Sequence, residues 1–395
     1  MSEDSVEKLG PISQYLTEDI SSVRERERSA FEQVLGAHHN RVVVFGCGGL
    51  GRRAIERLAE LRVRPLAFCD NNQLLWGTEV LGVKVLSVAE AAAQFGGDAL
   101  FLIAVWNPDH WYYETAEQLK TAGARSIVSF LPLFWRFPDS LLPFPYLNAI
   151  PSRVYEAVDD VLVVEKFWRD DLSLDIYRAN ILWRALGRPE FMPPRPQENT
   201  YFPADIFSLA SDECLVDCGA YNGDTVRMFL NRHTNFTAIY CIEGEATAFE
   251  RMVEYLATLR PDIGHKIHPL HCAVGAARGI VRFDLDGVTG AKIDTQHAKV
   301  EVECYPMDEL QIDRATIIKM DIEGTEYDAL LGARRMILRD KPILAICVYH
   351  TQDDIWRIPL LIHNFLPEHK LFLRAYEGDG FQTVLYAVPP DRALI

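Results

Sequence analysis

Three stretches carry the residues best suited to chemistry. The first, Leu215–Asp224, reads Leu-Val-Asp-Cys-Gly-Ala-Tyr-Asn-Gly-Asp. Its parts imply a buried strand running into an acidic, glycine-bearing turn, with a helix over Thr225–Leu230 behind it. In open α/β sheets such turns line clefts at the carboxyl ends of strands. The spacing Asp217-x-Gly219-x-x-x-Gly223 differs from the dinucleotide pattern Gly-x-Gly-x-x-Gly and sets a carboxylate where a pyrophosphate would be repelled. That favours a ligand with a cationic, phosphate-free end. S-adenosylmethionine, with its amino group and sulfonium, fits. A plain strand–helix turn with a helix-capping Asp is the alternative.

Glu243 ends the next strand, 26 residues after Asp217. An acid there can accept hydrogen bonds from both ribose hydroxyls of an adenosine ligand, or it can cap the helix that follows. The second stretch, Asp321-Ile322-Glu323-Gly324-Thr325-Glu326, follows the apolar run Ile317–Met320. Three carboxylates within six positions are costly to crowd without partners. They can pair with Lys319 or Arg334, bind a divalent metal, or face a cationic substrate group, while the helix dipole alone accounts for Glu326. The third, Val348-Tyr349-His350, closes the next strand and puts a histidine level with Asp321, where it can take a proton from a hydroxyl. A structural histidine is the competing account.

The elements that would position these residues alternate strand and helix from about Ala204 onward. Strands are expected at Cys214–Asp217, Ala238–Ile242, Pro269–Ala273, Ile317–Asp321, Ile343–Val348, Lys370–Leu373 and Thr383–Ala387, with helices at Ala246–Leu259 and Tyr327–Arg339. A hairpin, Ile280–Leu285 with Lys299–Tyr305, is inserted before the fourth strand. This is the pattern of a doubly wound α/β sheet.

Upstream, Asp19–Leu35 carries alternating charges and reads as a solvated helix, with contact to a second copy of the chain as the alternative. Arg41–Phe45 is a short strand leading into Gly46-x-Gly48-x-x-Gly51, then a helix over Arg52–Leu61 and a strand, Pro65–Cys69, ending at Asp70. Strand before, helix after and an acid about 20 positions on make this a dinucleotide signal. Asp70-Asn71-Asn72, Gly77 and Leu81–Leu86 add a resemblance to the small domain of PglD-type acetyltransferases, which implies a nucleotide-sugar rather than a redox cofactor. A degenerate scaffold and an NAD(P) site rank behind it. Further elements are Ala99–Val105, Tyr113–Gly123 and Ser126–Phe130. Leu131–Pro151, rich in proline and aromatics, reads as an ordered connection without helix interior. The helical stretch Ser152–Leu186 follows, broken at Asp170-Asp171, and then a second proline cluster at Pro193, Pro194 and Pro196. The expected division is a helical segment at 1–40, a Rossmann-like nucleotide-binding domain at 41–145, a helical and proline-rich connection at 146–203, and a second Rossmann-like domain at 204–395.

The balance of 56 acidic against 40 basic residues, a formal charge of −16, argues against sequence-independent nucleic-acid binding. Eight cysteines without a Cys-x-x-Cys pair, most of them in strand-like apolar runs, suit a reducing cytoplasm. No apolar run reaches membrane-spanning length and Met1-Ser-Glu-Asp-Ser lacks the core of a signal peptide, so a soluble cytoplasmic protein is expected.

Together, Leu215–Asp224, His271–Gly279, Ile318–Glu326 and Tyr349-His350 resemble FkbM-type methyltransferases, over about the last 190 residues. The Lys-x-Asp-x-Glu-Gly-x-Glu signature at Lys319–Glu326 is the most specific part. The resemblance implies a class I methyltransferase domain, O-methylation of sugars or related hydroxyls, and S-adenosylmethionine as cofactor. It assigns Asp217 and Gly219 to the methionine-side turn, Glu243 to the ribose, Ala273 to the adenine-side loop, and Asp321 and Glu323 to the active edge; Ala220, Tyr221, Gly223, Asp224 and Asp321 are expected as further cofactor contacts, and His350 with Asp321 and Glu323 as the catalytic residues. Gly244 stands where the family usually has proline. Val348-Tyr349-His350 stands where it often has Glu-x-His, so one carboxylate is missing. The acceptor is expected to be a small molecule, a sugar or nucleotide-sugar.

Overall fold

The computed structural model describes residues 9–144, 148–192, 201–284, 292–293 and 300–395. The expectations for the first eight residues, Pro145, Tyr146, Pro193, Pro194, Pro196, Leu285 and Lys299 lie outside these residues. The chain forms two compact units that interleave in sequence: Met1–Leu162, Asp175–Pro196 and Glu377–Phe381 make one, and Val163–Leu174, Gln197–Tyr376 and Gln382–Ile395 the other.

The first unit holds strands β1 (Val42–Phe45), β2 (Ala67–Cys69), β3 (Glu79–Val80), β4 (Val83–Leu86), β5 (Leu100–Ile103) and β6 (Ser126–Ser129) in the order β3-β4-β2-β1-β5-β6. All pairs are parallel except β3 with β4. Near-continuous apolar runs such as Val-Val-Val-Phe in β1 are buried throughout, as a parallel sheet covered on both faces requires. Helices α1 (Ile20–Ala37), α2 (Gly49–Glu60), α3 (Val88–Phe95) and α4 (Tyr112–Ala122) lie between or before the strands. Asp19 caps α1 by accepting from Ser21 and Ser22 N–H.

The proline-rich stretch after β6 does contain helix, α5 (Leu131–Arg136) and α6 (Pro138–Leu141). Each carries its proline in the first turn, where the missing N–H has no intrahelical partner to lose. Next come α7 (Ser152–Glu156), α8 (Val158–Val164) and α9 (Asp171–Leu186), so the expected break before Asp171 is present. The segment Glu377–Phe381 brings Asp379, 1% exposed, to the start of α4, where its carboxylate accepts from Tyr112 N–H at 2.9 Å and faces His110 Nδ1 at 3.2 Å.

The second unit is built on β7 (Cys214–Cys218), β8 (Ala238–Glu243), β9 (Ile267–His271), β10 (Ala273–Val274), β11 (Gly279–Asp284), β12 (Lys292–Ile293), β13 (Val300–Tyr305), β14 (Ile317–Met320), β15 (Ile343–Cys347), β16 (Lys370–Ala375) and β17 (Thr383–Val388). Seven of these form one sheet in the order β16-β17-β15-β14-β7-β8-β9, with β17 antiparallel to both its neighbours. The remaining four make a small sheet, β10-β13-β11-β12, in which β11 and β13 form the expected antiparallel pair. Helices α10 (Asp224–Arg232), α11 (Ala246–Leu256), α12 (Pro261–Gly264), α13 (Glu326–Gly332), α14 (Arg334–Asp340) and α15 (Asp354–Phe365) complete the unit. The single helix expected over Tyr327–Arg339 is split at Gly332. A Cβ there would lie 2.0 Å from the Gly275 carbonyl oxygen.

Strand order reverses between β7 and β14, which places the unit's crevice at their carboxyl ends. A lysine stands in the middle of this otherwise apolar pair of strands. Lys319 is opposite Asp217 in the register, with Nζ 3.0 Å from Asp217 Oδ1, and the two side chains are 2% and 0% exposed. Lys319 Nζ also donates to the Gly219 carbonyl at 2.7 Å. One ammonium thus fastens both the strand and the glycine turn beyond it. Removing one partner of a buried pair leaves an uncompensated charge and costs ~3–5 kcal/mol, whereas removing both is far milder. Lys319→Met should therefore lower unfolding free energy by about that amount in urea titrations, and Lys319→Met with Asp217→Asn should recover a large part of it.

Candidate functional site

Beyond β7 the backbone turns through Gly219 at φ +76°, where a Cβ would sit 1.8 Å from the Asp321 carbonyl oxygen. Only glycine allows the turn to lie this close to the end of β14. Gly219 and Ala220 N–H both donate to the Ile242 carbonyl, which ties the turn to β8 as well. Tyr221 is 51% exposed. Gly223, at φ +83°, precedes α10, and a Cβ there would approach the Tyr255 ring at 2.9 Å. Arg227 lies over that ring at 3.8 Å and donates to the Asn222 carbonyl, bracing the turn from behind. Asp224 opens α10, its Oδ1 accepting from Thr225 N–H.

Glu243 spans the turn and its own strand end. Its carboxylate accepts from Tyr221 N–H at 2.8 Å and Glu245 N–H at 2.7 Å, and burial raises its pKa. It is not the helix cap: Glu245 caps α11, accepting from Thr247 and Ala248 N–H. Ala273 opens β10, opposite Cys304 in the small sheet. Asp217 lies beneath all of these, fully buried on Lys319. Burial pushes its carboxyl up to about 6 against the pull of that ammonium. Burial would lower the Lys319 pKa, but Asp217, Asp321 and Asp224 outweigh it and hold the amine protonated.

The second acidic stretch and the histidine converge. Asp321 leaves β14 with its N–H on the Cys218 carbonyl. Its Oδ2 accepts from the Tyr201 hydroxyl at 2.6 Å and its Oδ1 from the Tyr349 hydroxyl at 3.4 Å, and Oδ1 is 3.2 Å from His350 Nε2. Glu323 Oε2 is 3.9 Å from the same nitrogen. On the other edge of the ring, His350 Nδ1 is 2.7 Å from Glu326 Oε1. Glu326 has no exposed surface and is held by Ile322 N–H at 2.8 Å and Gly324 N–H at 3.0 Å. Burial opposes charge on Asp321 and on His350. At Asp321 it is outweighed by His350, Lys319 and Tyr201, which hold the carboxyl below its usual range. At His350 it is outweighed by Glu326 and Asp321, which raise the imidazole well above its ordinary value. Asp354, buried at the start of α15, is pushed up to about 7, first by burial and then by the charge of Glu326.

Asp321, Glu323 and His350 are therefore brought together, as are Gly219 with Asp321 and Tyr221 with Glu243. Arg334 does not join the acids and instead lies over the Phe365 ring at 5.7 Å. Tyr201, Tyr349 and the use of Glu326 on the ring were not anticipated. Tyr201 precedes β7 by more than ten residues, and no local pattern marks it. Donor atoms of Asp321, Glu326 and His350 lie within 4.8 Å of one another, near the spread of a metal centre. The two ring nitrogens, however, already face carboxylates on opposite sides, which suits a shared proton better than one ion contacting all three.

In the first unit, Gly46 at φ +98° and Gly51 pack the glycine loop onto the sheet: a Cβ at Gly51 would lie 1.9 Å from the Gly46 carbonyl oxygen. Gly48 precedes α2 with open space beside it. The Asp70 carboxylate accepts from Cys47 N–H at 2.7 Å and Asn72 N–H at 2.8 Å.

The eight cysteines are all buried and unpaired. Among the described residues no helix is long and apolar enough to cross a membrane.

Known proteins share this chain's fold and part of its sequence. Residues 217–377 match the family profile described as the methyltransferase FkbM domain. The crystal structure of the methyltransferase FkbM from Methylobacillus flagellatus KT aligns at a TM-score of 0.73 with 20% identity, covering 95% of this chain and 99% of that one. A putative rRNA methylase from Clostridium thermocellum aligns over 48% of this chain and 90% of its own, at 11% identity and a TM-score of 0.30. No curated protein sequence matches. Both units are thus Rossmann-like α/β domains, and the second carries a methyltransferase domain of the FkbM type over residues 217–377.

Proposed function

We propose that the chain methylates a hydroxyl of a sugar, a nucleotide-sugar or a similar small molecule. The observation that carries this is Asp321 meeting His350 at 3.2 Å at the carboxyl edge of the sheet, against the glycine turn. S-adenosylmethionine supplies an electrophilic methyl group on a positively charged sulfur. The donor set suits it: Asp224, Glu243, Asp321 and Glu323 are acidic, and the cation beneath them, Lys319, is committed to Asp217 and Gly219. Gly219, Ala220, Tyr221 and Gly223 shape the turn, and Ala273 lies at the start of the neighbouring small sheet.

Asp321 and Glu323, 21% and 25% exposed at their side chains, are the members of the cluster that reach an acceptor. They hold its hydroxyl in line for attack, and His350 Nε2 receives the proton. Orientation of this kind can supply roughly 7–11 kcal/mol of the barrier, and a base adds typically ~10²–10⁴-fold.

The glycine loop of the first unit supports a second, subordinate reading, a nucleotide site at Gly46, Gly48, Gly51 and Asp70. Melting curves with S-adenosylmethionine, NAD(H) and nucleotide sugars test both. Saturating S-adenosylmethionine at about 100 times its Kd should add ~2.7 kcal/mol. His350→Ala should keep that gain while losing about 10²-fold or more in kcat, and Glu243→Ala should lose most of the gain. Stabilisation by NAD(H) alone would favour an oxidoreductase instead. An imidazole accepts a proton only when neutral, and Glu326 and Asp321 keep His350 charged above its ordinary range. Turnover should therefore climb as pH rises through that raised range and fall on the acid side, with the limb above pH ~6.5. Because the ring is shared between carboxylates, exhaustive chelation should leave turnover unchanged.

A further inference from the structure

Glu326 is out of place as a helix-terminal acid. Such residues gain from the dipole while remaining solvated, whereas this one opens α13 with no exposed surface. Burying a carboxylate is costly unless its oxygens are filled and a positive partner is at hand. Two backbone amides of the preceding loop fill it, Ile322 N–H on Oε1 and Gly324 N–H on Oε2. The positive partner is the ring of His350, whose Nδ1 is 2.7 Å from Oε1.

The ring is constrained from other sides as well. Gly324, at φ +98°, lies beside its base: a Cβ there would meet Thr351 Cγ2 at 3.3 Å and be in ordinary contact with His350 Cβ at 3.6 Å. The Tyr349 ring is 4.1 Å away, centroid to centroid. With Nδ1 turned inward to Glu326, Nε2 is the nitrogen left facing Asp321 and Glu323, the two part-exposed carboxylates. Those groups, Glu326 and Asp354 at the start of α15 are the acids around the ring. Lys319, on Asp217, is the cation that also acts on Asp321.

We propose that Glu326 is a positioning residue for methyl transfer: it fixes His350 in the tautomer with the proton on Nδ1, so that Nε2 alone exchanges a proton with the acceptor hydroxyl. The hydroxyl proton moves to the Nε2 lone pair as its oxygen bonds to the methyl carbon, and the methyl–sulfur bonding pair returns to sulfur. Glu326 takes no part in the proton transfer and stabilises the imidazolium that forms, the division of labour seen when a buried carboxylate backs a histidine base. This rests on the hydroxyl-methylation reading above.

The tautomer is read directly by nitrogen NMR on the full chain labelled at histidine, with the His350→Gln variant assigning the signal. As pH is raised and the ring loses one proton, Nδ1 should remain protonated and Nε2 should become the bare nitrogen. A neutral ring protonated on Nε2 would overturn the proposal. That readout needs no turnover, so it stands apart from whether a methyl group reaches a hydroxyl at all. In kinetics, Glu326→Gln should lower kcat about 10²-fold with KM within a few-fold. Loss of the negative charge should also move the acid limb of the kcat profile down by roughly 1–3 pH units. A purely structural role would lower the rate equally at every pH and leave the limb in place, and that result would overturn the proposal too.

Discussion

One buried ammonium holds the catalytic half of this molecule in register. Lys319 sits in a strand that should be apolar throughout, and its three hydrogens reach the carboxylate of Asp217 and the carbonyls at the bend. Charge buried between two central strands is tolerated only when fully matched, so the chain on either side has little freedom to shift. The glycine turn must close where it does because its carbonyl is bound, and Asp321 must leave β14 where it does because its backbone presses on Gly219. The acidic signature is therefore as much about architecture as about reaction. Asp217 and Lys319 work from below, and the turn glycine and the carboxylate that face a ligand, Gly219 and Asp321, stand two residues further along.

The same economy organises the loop after β14. Its side chains alternate in purpose: Asp321 and Glu323 outward, Glu326 back through the loop to the ring of His350. The loop from Ile322 to Gly324 thus wraps a single carboxylate, and the histidine arrives from the adjacent strand into a place already shaped for it. Crowding that looks unfavourable in one dimension resolves when two of the acids share one imidazole and a tyrosine hydroxyl satisfies Asp321 from another direction.

Much of this was legible in the amino-acid order. The strands of both sheets show as short buried runs such as Cys-Leu-Val-Asp-Cys and Ile-Leu-Ala-Ile-Cys, because parallel strands covered on both faces cannot alternate. Asp321, Glu323 and His350 could be placed together because each ends or follows one of two adjacent strands. What escaped depends on distance along the chain. Tyr201 meets Asp321 across 120 residues, and nothing near it in sequence says so. Which partner Lys319 chooses, and that Glu245 rather than Glu243 caps α11, follow from register and loop path, not from residue type. The helices of Leu131–Leu141 were missed because proline counts as a breaker in the middle of a helix, yet it is welcome in the first turn.

The interleaving of the two units has a practical side. The tip between β16 and β17 belongs to the first unit, where Asp379 supplies the start of α4 with its carboxylate acceptor. No single cut in the polypeptide can therefore separate the two halves cleanly. A fragment carrying the methyltransferase sheet takes with it a piece of its neighbour's framework, and the complementary fragment begins α4 with an unanswered amide.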